Sequence, residues 1–210
     1  MLEIKTFHFS SFQTNTYVVN DGKQVLLIDP ACCSQYDRHV LYTYIERQLA
    51  PGIPDFQLSI IATHGHLDHL WGAPWACEQW HTPVLMHKAD IPMAQAMQSQ
   101  YNLFGISLQA EPFPIKELDC SQPLFEGMET IETPGHTPGG ICLYWKEEKV
   151  LFSGDTLFRW GYGRTDLPGG DIGLLLDSLN KLLCLPADVR VYPGHGDATS
   201  IAAEKRYANY

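Results

Sequence analysis

Residues 63–69 read THGHLDH, so three of the chain's nine histidines and an aspartate fall within six positions. Imidazoles and a carboxylate at that density are the donor set of a transition-metal site. Any one of them alone reads more simply as a cap or a packed side chain, so the remainder of the chain has to supply context. It does so at four apolar segments. IIATH, ETPGH, LFSGD and VYPGH each run out in a His or an Asp at, or just beyond, the last apolar residue. Strand ends on one edge of a sheet converge, and loops there can meet in a single site. His136, Asp155 and His195 thereby join His64, His66, Asp68 and His69 as candidate metal ligands.

Seven nitrogen and oxygen donors exceed the needs of a structural zinc ion, which takes about four ligands and favours cysteine. No cysteine lies near this cluster. The set suits two divalent ions about 3.5–4 Å apart that share a carboxylate. Imidazole with carboxylate selects zinc first, then iron or manganese, over magnesium and calcium. In a tight turn begun at Gly65, the spacing allows His64 and His66 to join His136 on one ion. Asp68 and His69 then join His195 on the second, with Asp155 between them. His8, His39, His81 and His87 have no comparable context and are read as packing or capping residues.

The elements that must position these residues are short and alternate in type. Strand patterns cover 15–19, 24–29, 58–64, 83–87, 128–134, 140–145, 149–155 and 189–195. Helical periodicity fits 36–50, with Val40, Leu41, Tyr44, Ile45 and Leu49 on one side, and 171–185, with Asp171 as the cap. Between 97 and 127 the pattern fades into loop with one short element. No linker of Gly/Ser or Pro type and no tandem repeat divides the chain. The expectation is one layered α/β domain over residues 1–210.

Composition narrows the function classes. At 210 residues with 45% hydrophobic and 18% charged side chains, the chain is globular and able to bury a core. Its formal net charge is −10 and its Lys and Arg are scattered, so nucleic acid is not an expected partner. No window approaches the roughly 20 apolar residues of a membrane span. The start carries no basic region followed by an apolar stretch, and the six cysteines show no CxxC, so reduced thiols in a cytoplasm are expected.

THGHLDH with PGHTPG, FSGDTLF and YPGH resembles the metallo-β-lactamase superfamily, whose signature is HxHxDH followed by a separate His, Asp and His. The resemblance implies an α/β fold of the four-layer αββα sandwich type, with its metals at one edge. Within the superfamily, DTLFRWGYGRTDLPGGD resembles the short relatives of hydroxyacylglutathione hydrolase, or glyoxalase II. That enzyme carries further C-terminal helices that contact glutathione, and a Lys with a nearby Tyr where this chain has Arg164 and Asp166. The resemblance therefore implies a metal-dependent hydrolase of a small-molecule thioester or related acyl compound, with a more open site. Two cations there bring a held water to a pKa near 7, so that it can attack an acyl carbon. Asp68 would orient that nucleophile as well as ligate, and Arg164 would grip a substrate carboxylate. Two alternatives follow from the same resemblance: a persulfide dioxygenase with one iron on two His and one Asp, and, more weakly, a β-lactam hydrolase.

Overall fold

Phe7 and Phe9 are buried on either side of exposed His8, the period of two that marks a half-buried strand. In the computed structural model, which describes residues 2–207, this strand is β1 (Glu3–Phe9). It pairs antiparallel with β2 (Thr14–Asn20), which pairs antiparallel with β3 (Val25–Ile28). All four side chains of β3 are buried, as a strand covered on both faces requires. The chain divides into two units, one running to Met86 plus Ile91–Glu117, the other His87–Asp90 plus the chain from Leu118 onward.

In the first unit β3 is followed by α1 (Gln35–Tyr42), opened by a capping box in which Ser34 and Asp37 satisfy each other's backbone N–H groups. The helix expected over 36–50 does not continue as an α-helix. From Thr43 to Leu49 it winds as a π-helix. Its core residues Leu41, Ile45 and Leu49 are spaced by four, and four residues overshoot one α-turn by about 40°. A wider winding keeps the three in line against the core. Then come β4 (Leu58–Ile61), α2 (Leu67–Leu70), α3 (Ala73–Trp80), β5 (Val84–Met86), α4 (Ile91–Gln95), α5 (Met97–Leu103) and β6 (Ile115–Glu117). The sheet order is β1-β2-β3-β4-β5-β6, with β3 to β6 parallel. Leu27, Ile60, Leu67 and Leu70 are among the residues that fill its core.

The second unit holds β7 (Met128–Glu132), β8 (Ile141–Trp145), β9 (Val150–Gly154), the hairpin of β10 (Leu157–Phe158) and β11 (Gly161–Tyr162), α6 (Ile172–Leu183), β12 (Arg190–Pro193), β13 (Thr199–Ser200) and α7 (Ile201–Tyr207). The five-stranded sheet has the order β13-β12-β9-β8-β7. Asp171 caps α6 as expected, accepting from the Leu174 N–H. The helix buries Leu175, Leu179 and Leu182 against Leu151 and Val191 of the sheet, worth roughly 1.5–3 kcal/mol per side chain. Among the described residues, no helix is long and apolar enough to cross a membrane.

Strand direction decides where the polar residues emerge. β7 and β9 are both antiparallel to β8, and β12 is parallel to β9. The C-terminal ends of β7, β9 and β12 therefore share one edge, where the chain delivers His136, Asp155 and His195. In the first unit β3 and β4 are parallel, so Asp29 and His64 follow their strands at a common edge too.

The turn that carries His136 depends on a missing side chain. Gly135 sits at φ +137°, and a Cβ there would lie 2.2 Å from the backbone nitrogen of Leu175 on the first turn of α6. The Gly135 carbonyl also accepts the Asp171 N–H at 2.8 Å. Gly135→Ala is expected to destabilise by roughly 2–4 kcal/mol through backbone strain and overpacking, lowering Tm by about 6–12 °C. Thermal unfolding followed by circular dichroism checks this, and a Tm equal to that of the parent would refute the close-approach reading.

Candidate metal centre

On leaving β4 the chain passes through Thr63 and His64, places His66 as the extended residue before α2, and carries Asp68 and His69 in the helix. The three imidazoles are buried, and the Asp68 side chain is 14% exposed. The His64 ring lies 4.9 Å from that of His66 and 4.1 Å from that of His69, centroid to centroid.

Their orientation is set by Asp29, at the C-terminal end of β3. It is buried and held at φ 52°, a left-handed conformation that Asp tolerates better than most residues. One carboxylate oxygen accepts the Thr63 backbone N–H at 2.7 Å. The other accepts the Thr63 hydroxyl at 2.7 Å and faces His69 Nδ1 at 2.8 Å. A carboxylate only accepts, so His69 carries its proton on Nδ1 and leaves Nε2 with a lone pair. The same logic reaches His64. Thr63 has one hydroxyl proton and donates it to Asp29, so in the 3.1 Å contact between Thr63 Oγ1 and His64 Nδ1 the imidazole must donate. His64 also presents a basic Nε2.

The second unit repeats the device with a backbone carbonyl. His136 Nδ1 donates to the carbonyl oxygen of Arg164 at 2.7 Å, which again leaves Nε2 as the donor atom for a metal. The approach requires Gly163, since a Cβ there would fall 2.0 Å from the Asp155 carbonyl oxygen and 2.9 Å from His136 Nδ1. Asp155 Oδ2 lies 3.5 Å from His136 Nε2 and also 3.5 Å from His195 Nε2. His69 Nε2 stands at the same 3.5 Å from Asp68 Oδ2. That is long for an N–H···O bond. It matches the separation of about 3.4 Å between two ligands bonded at roughly 2.1 Å to one tetrahedral ion.

Within each unit, then, the residues expected from sequence come together: His64, His66, Asp68 and His69 in one, His136, Asp155 and His195 in the other. Donor chemistry, tautomers and spacing all fit divalent ions. Three buried cysteines are poor nucleophiles: burial pushes the thiols of Cys32 up to about 12 and of Cys77 and Cys142 up to about 11. The Arg164 side chain is exposed and forks onto the Asp166 carboxylate at 2.6 Å on both arms, which holds that carboxyl down at about 2. A substrate carboxylate would have to compete with Asp166 for it.

Three supporting residues were not singled out from sequence. Thr14 donates its hydroxyl to Asp68 Oδ2 at 2.8 Å. Buried Asp90 accepts the Thr137 hydroxyl at 2.7 Å and the Gly139 N–H at 2.5 Å, bracing the loop after His136. Asp29 had a visible signal, because QVLLID is a fifth apolar strand that ends in an acid. Thr14 and Asp90 had none, since their partners lie about fifty residues away in the chain.

Comparison with known proteins agrees with this geometry. Residues 10–195 match the family described as the metallo-beta-lactamase superfamily. The probable metallo-hydrolase YqgX of Bacillus subtilis is 35% identical, over 92% of this chain and 90% of its own. The hydroxyacylglutathione hydrolase GloC of Haemophilus influenzae is 32% identical, over 98% and 96%. Among solved structures, TTHA1623 in a di-iron-bound form is 33% identical with a TM-score of 0.84, covering 98% of both chains. The BLEG-1 B3 metallo-beta-lactamase is 34% identical with a TM-score of 0.84, covering 99% of this chain and 98% of the other. The α/β fold anticipated from the sequence motifs is the one found, and this chain belongs to the metallo-β-lactamase superfamily.

Proposed function

We propose that the protein hydrolyses thioesters or related small acyl compounds, with two divalent ions held by His64, His66, Asp68, His69, His136, Asp155 and His195. The observation that carries this reading is the set of three locked tautomers, with Nδ1–H of His64, His69 and His136 each held by an acceptor and each Nε2 left basic. Asp155, whose Oδ2 is equally far from two imidazole nitrogens, would be the ligand common to both ions. Zinc is the first choice for such donors, and the likeness to a di-iron-bound protein keeps iron beside it.

When bound, the ions supply an acidified water and electrophilic assistance to a carbonyl. The chain's own residues do the remainder. Asp68, anchored by Thr14, would orient the attacking water. Asp29 and the Arg164 carbonyl keep three imidazoles basic toward the site. Thioester is favoured over other acyl groups by the likeness to a hydroxyacylglutathione hydrolase. A second reading, β-lactam hydrolysis, is supported by the likeness to a B3 metallo-beta-lactamase and uses the same attack on an acyl carbon. A kinetic panel of S-lactoylglutathione, simpler thioesters and a β-lactam tests the proposal. We expect the highest kcat/KM on a thioester, while turnover confined to the β-lactam, or oxygen uptake with a persulfide and no hydrolysis, would overturn it.

Two variants test the site itself. Asp155→Ala is expected to retain fewer than about one equivalent of metal, since it removes the shared ligand of a two-ion site. Elemental analysis that still found two equivalents would refute the bridging role. Asp29→Asn touches no ion yet should weaken metal binding about 10–100-fold. An amide in place of the carboxylate puts an N–H against His69 Nδ1 and favours the wrong tautomer. Competition with a chelator measures this, and an unchanged metal affinity would show that Asp29 serves the fold alone.

A further inference from the structure

His87, Cys120 and Glu132 form a second cluster of metal-binding side chains, wholly inside the second unit. His87 is the first residue after β5, Cys120 lies between β6 and β7, and Glu132 is the last residue of β7. One donor atom from each falls within 4.8 Å of the others. His87 Nε2 stands 3.8 Å from Glu132 Oε1, too far for a hydrogen bond and close enough for both to reach one ion. The His87 side chain is 14% exposed and that of Glu132 59%, so an ion can enter from solvent without a channel.

The backbone around all three donors is already held. Asp90, three residues beyond His87, is locked to Thr137 and Gly139. Glu132 is fixed through ladder pairing with Ile141 and by the Lys181 ammonium on its carbonyl oxygen at 2.7 Å. Next to Cys120, Asp119 accepts the Ser121 N–H at 3.0 Å and hydroxyl at 2.6 Å, closing a turn. A site whose backbone is ordered before binding gives up less entropy when an ion arrives.

We propose that His87, Cys120 and Glu132 bind one zinc-like divalent ion, with solvent in the fourth position, at a site separate from the hydrolytic centre. Thiolate with imidazole and carboxylate selects zinc or cobalt over magnesium and calcium. On binding, the Cys120 thiol gives its proton to solvent and sulfur takes up the metal bond. The His87 ring gives up its long 3.3 Å contact from the Ala89 N–H and carries its proton on Nδ1. An ion here ties residues 87–90 and the loop containing Cys120 to the end of β7, the strand whose continuation carries His136.

Cobalt(II) distinguishes the two sites, because a thiolate ligand gives an intense near-ultraviolet charge-transfer band and none of the seven ligands proposed for the hydrolytic centre is a cysteine. Metal-loaded wild-type protein titrated with cobalt(II) should develop that band to a limit of one equivalent. Cys120→Ser should abolish it, Cys184→Ser, at an exposed thiol, should leave it intact, and both variants should keep wild-type hydrolysis. His87→Ala and Glu132→Gln should each raise the Kd read from the band at least about tenfold. Absence of the band in the wild type, its survival in Cys120→Ser, or an unchanged Kd in both His87→Ala and Glu132→Gln would overturn the three-donor site.

Discussion

The Asp29 carboxylate is the constraint on which the first half of the site depends. It is buried at a strand end with a left-handed backbone, and it takes hydrogen bonds from a backbone N–H, a hydroxyl and an imidazole. A buried carboxylate with so many donors is well satisfied. Its satisfaction has a chemical consequence, because each donor is thereby prevented from pointing elsewhere. His69 is held directly and His64 through Thr63, so one acid fixes two tautomers. The Arg164 carbonyl performs the same office for His136, with Gly163 as the steric condition for its approach. Metal sites generally rely on such outer partners to orient their ligands. Here Asp29 and Thr63 come from the ends of the parallel strands β3 and β4, and the Arg164 carbonyl from the loop after β11.

Much of this was legible in the sequence because the signals were local. Apolar runs of four to five residues bounded by Gly, Pro and acids locate β3, β4, β8, β9 and β12 to within a few residues, and the His or Asp that follows β3, β4, β9 and β12 marks the site edge. The Asp171 cap and the leucine stripe of α6 were equally plain. What escaped was of two kinds. α2, α3, α4 and α5 have four to eight residues each, too few for a helical period to rise above chance, and packing stabilises such short helices more than propensity does. β1 changes character along its length, since Glu3 and Lys5 are exposed on the same face where Phe7 and Phe9 are buried. The second kind is non-local. Thr14 and Asp90 are ordinary residues by sequence and acquire their roles only where the fold brings a distant donor or acceptor to them.

His87 shows how context alters the reading of a single residue. Beside its sequence neighbours Met86 and Lys88 it has no metal-ligating company and reads as a packing residue. The fold supplies that company from positions 120 and 132. The same holds in reverse for Arg164, whose side chain was the natural candidate to grip an anion. Its guanidinium turns to Asp166, and the position serves the centre through its backbone oxygen.

Three histidines fixed as Nδ1–H tautomers and a shared aspartate are proposed to hold two ions. A crystal structure of the protein isolated with its native metal, with anomalous difference maps collected at the zinc and iron absorption edges, tests this arrangement most directly. Two anomalous peaks about 3.5–4 Å apart are expected, with Asp155 in contact with both and His64, His69 and His136 bonded through Nε2. A single peak, or ligation through Nδ1 at any of the three, would contradict it.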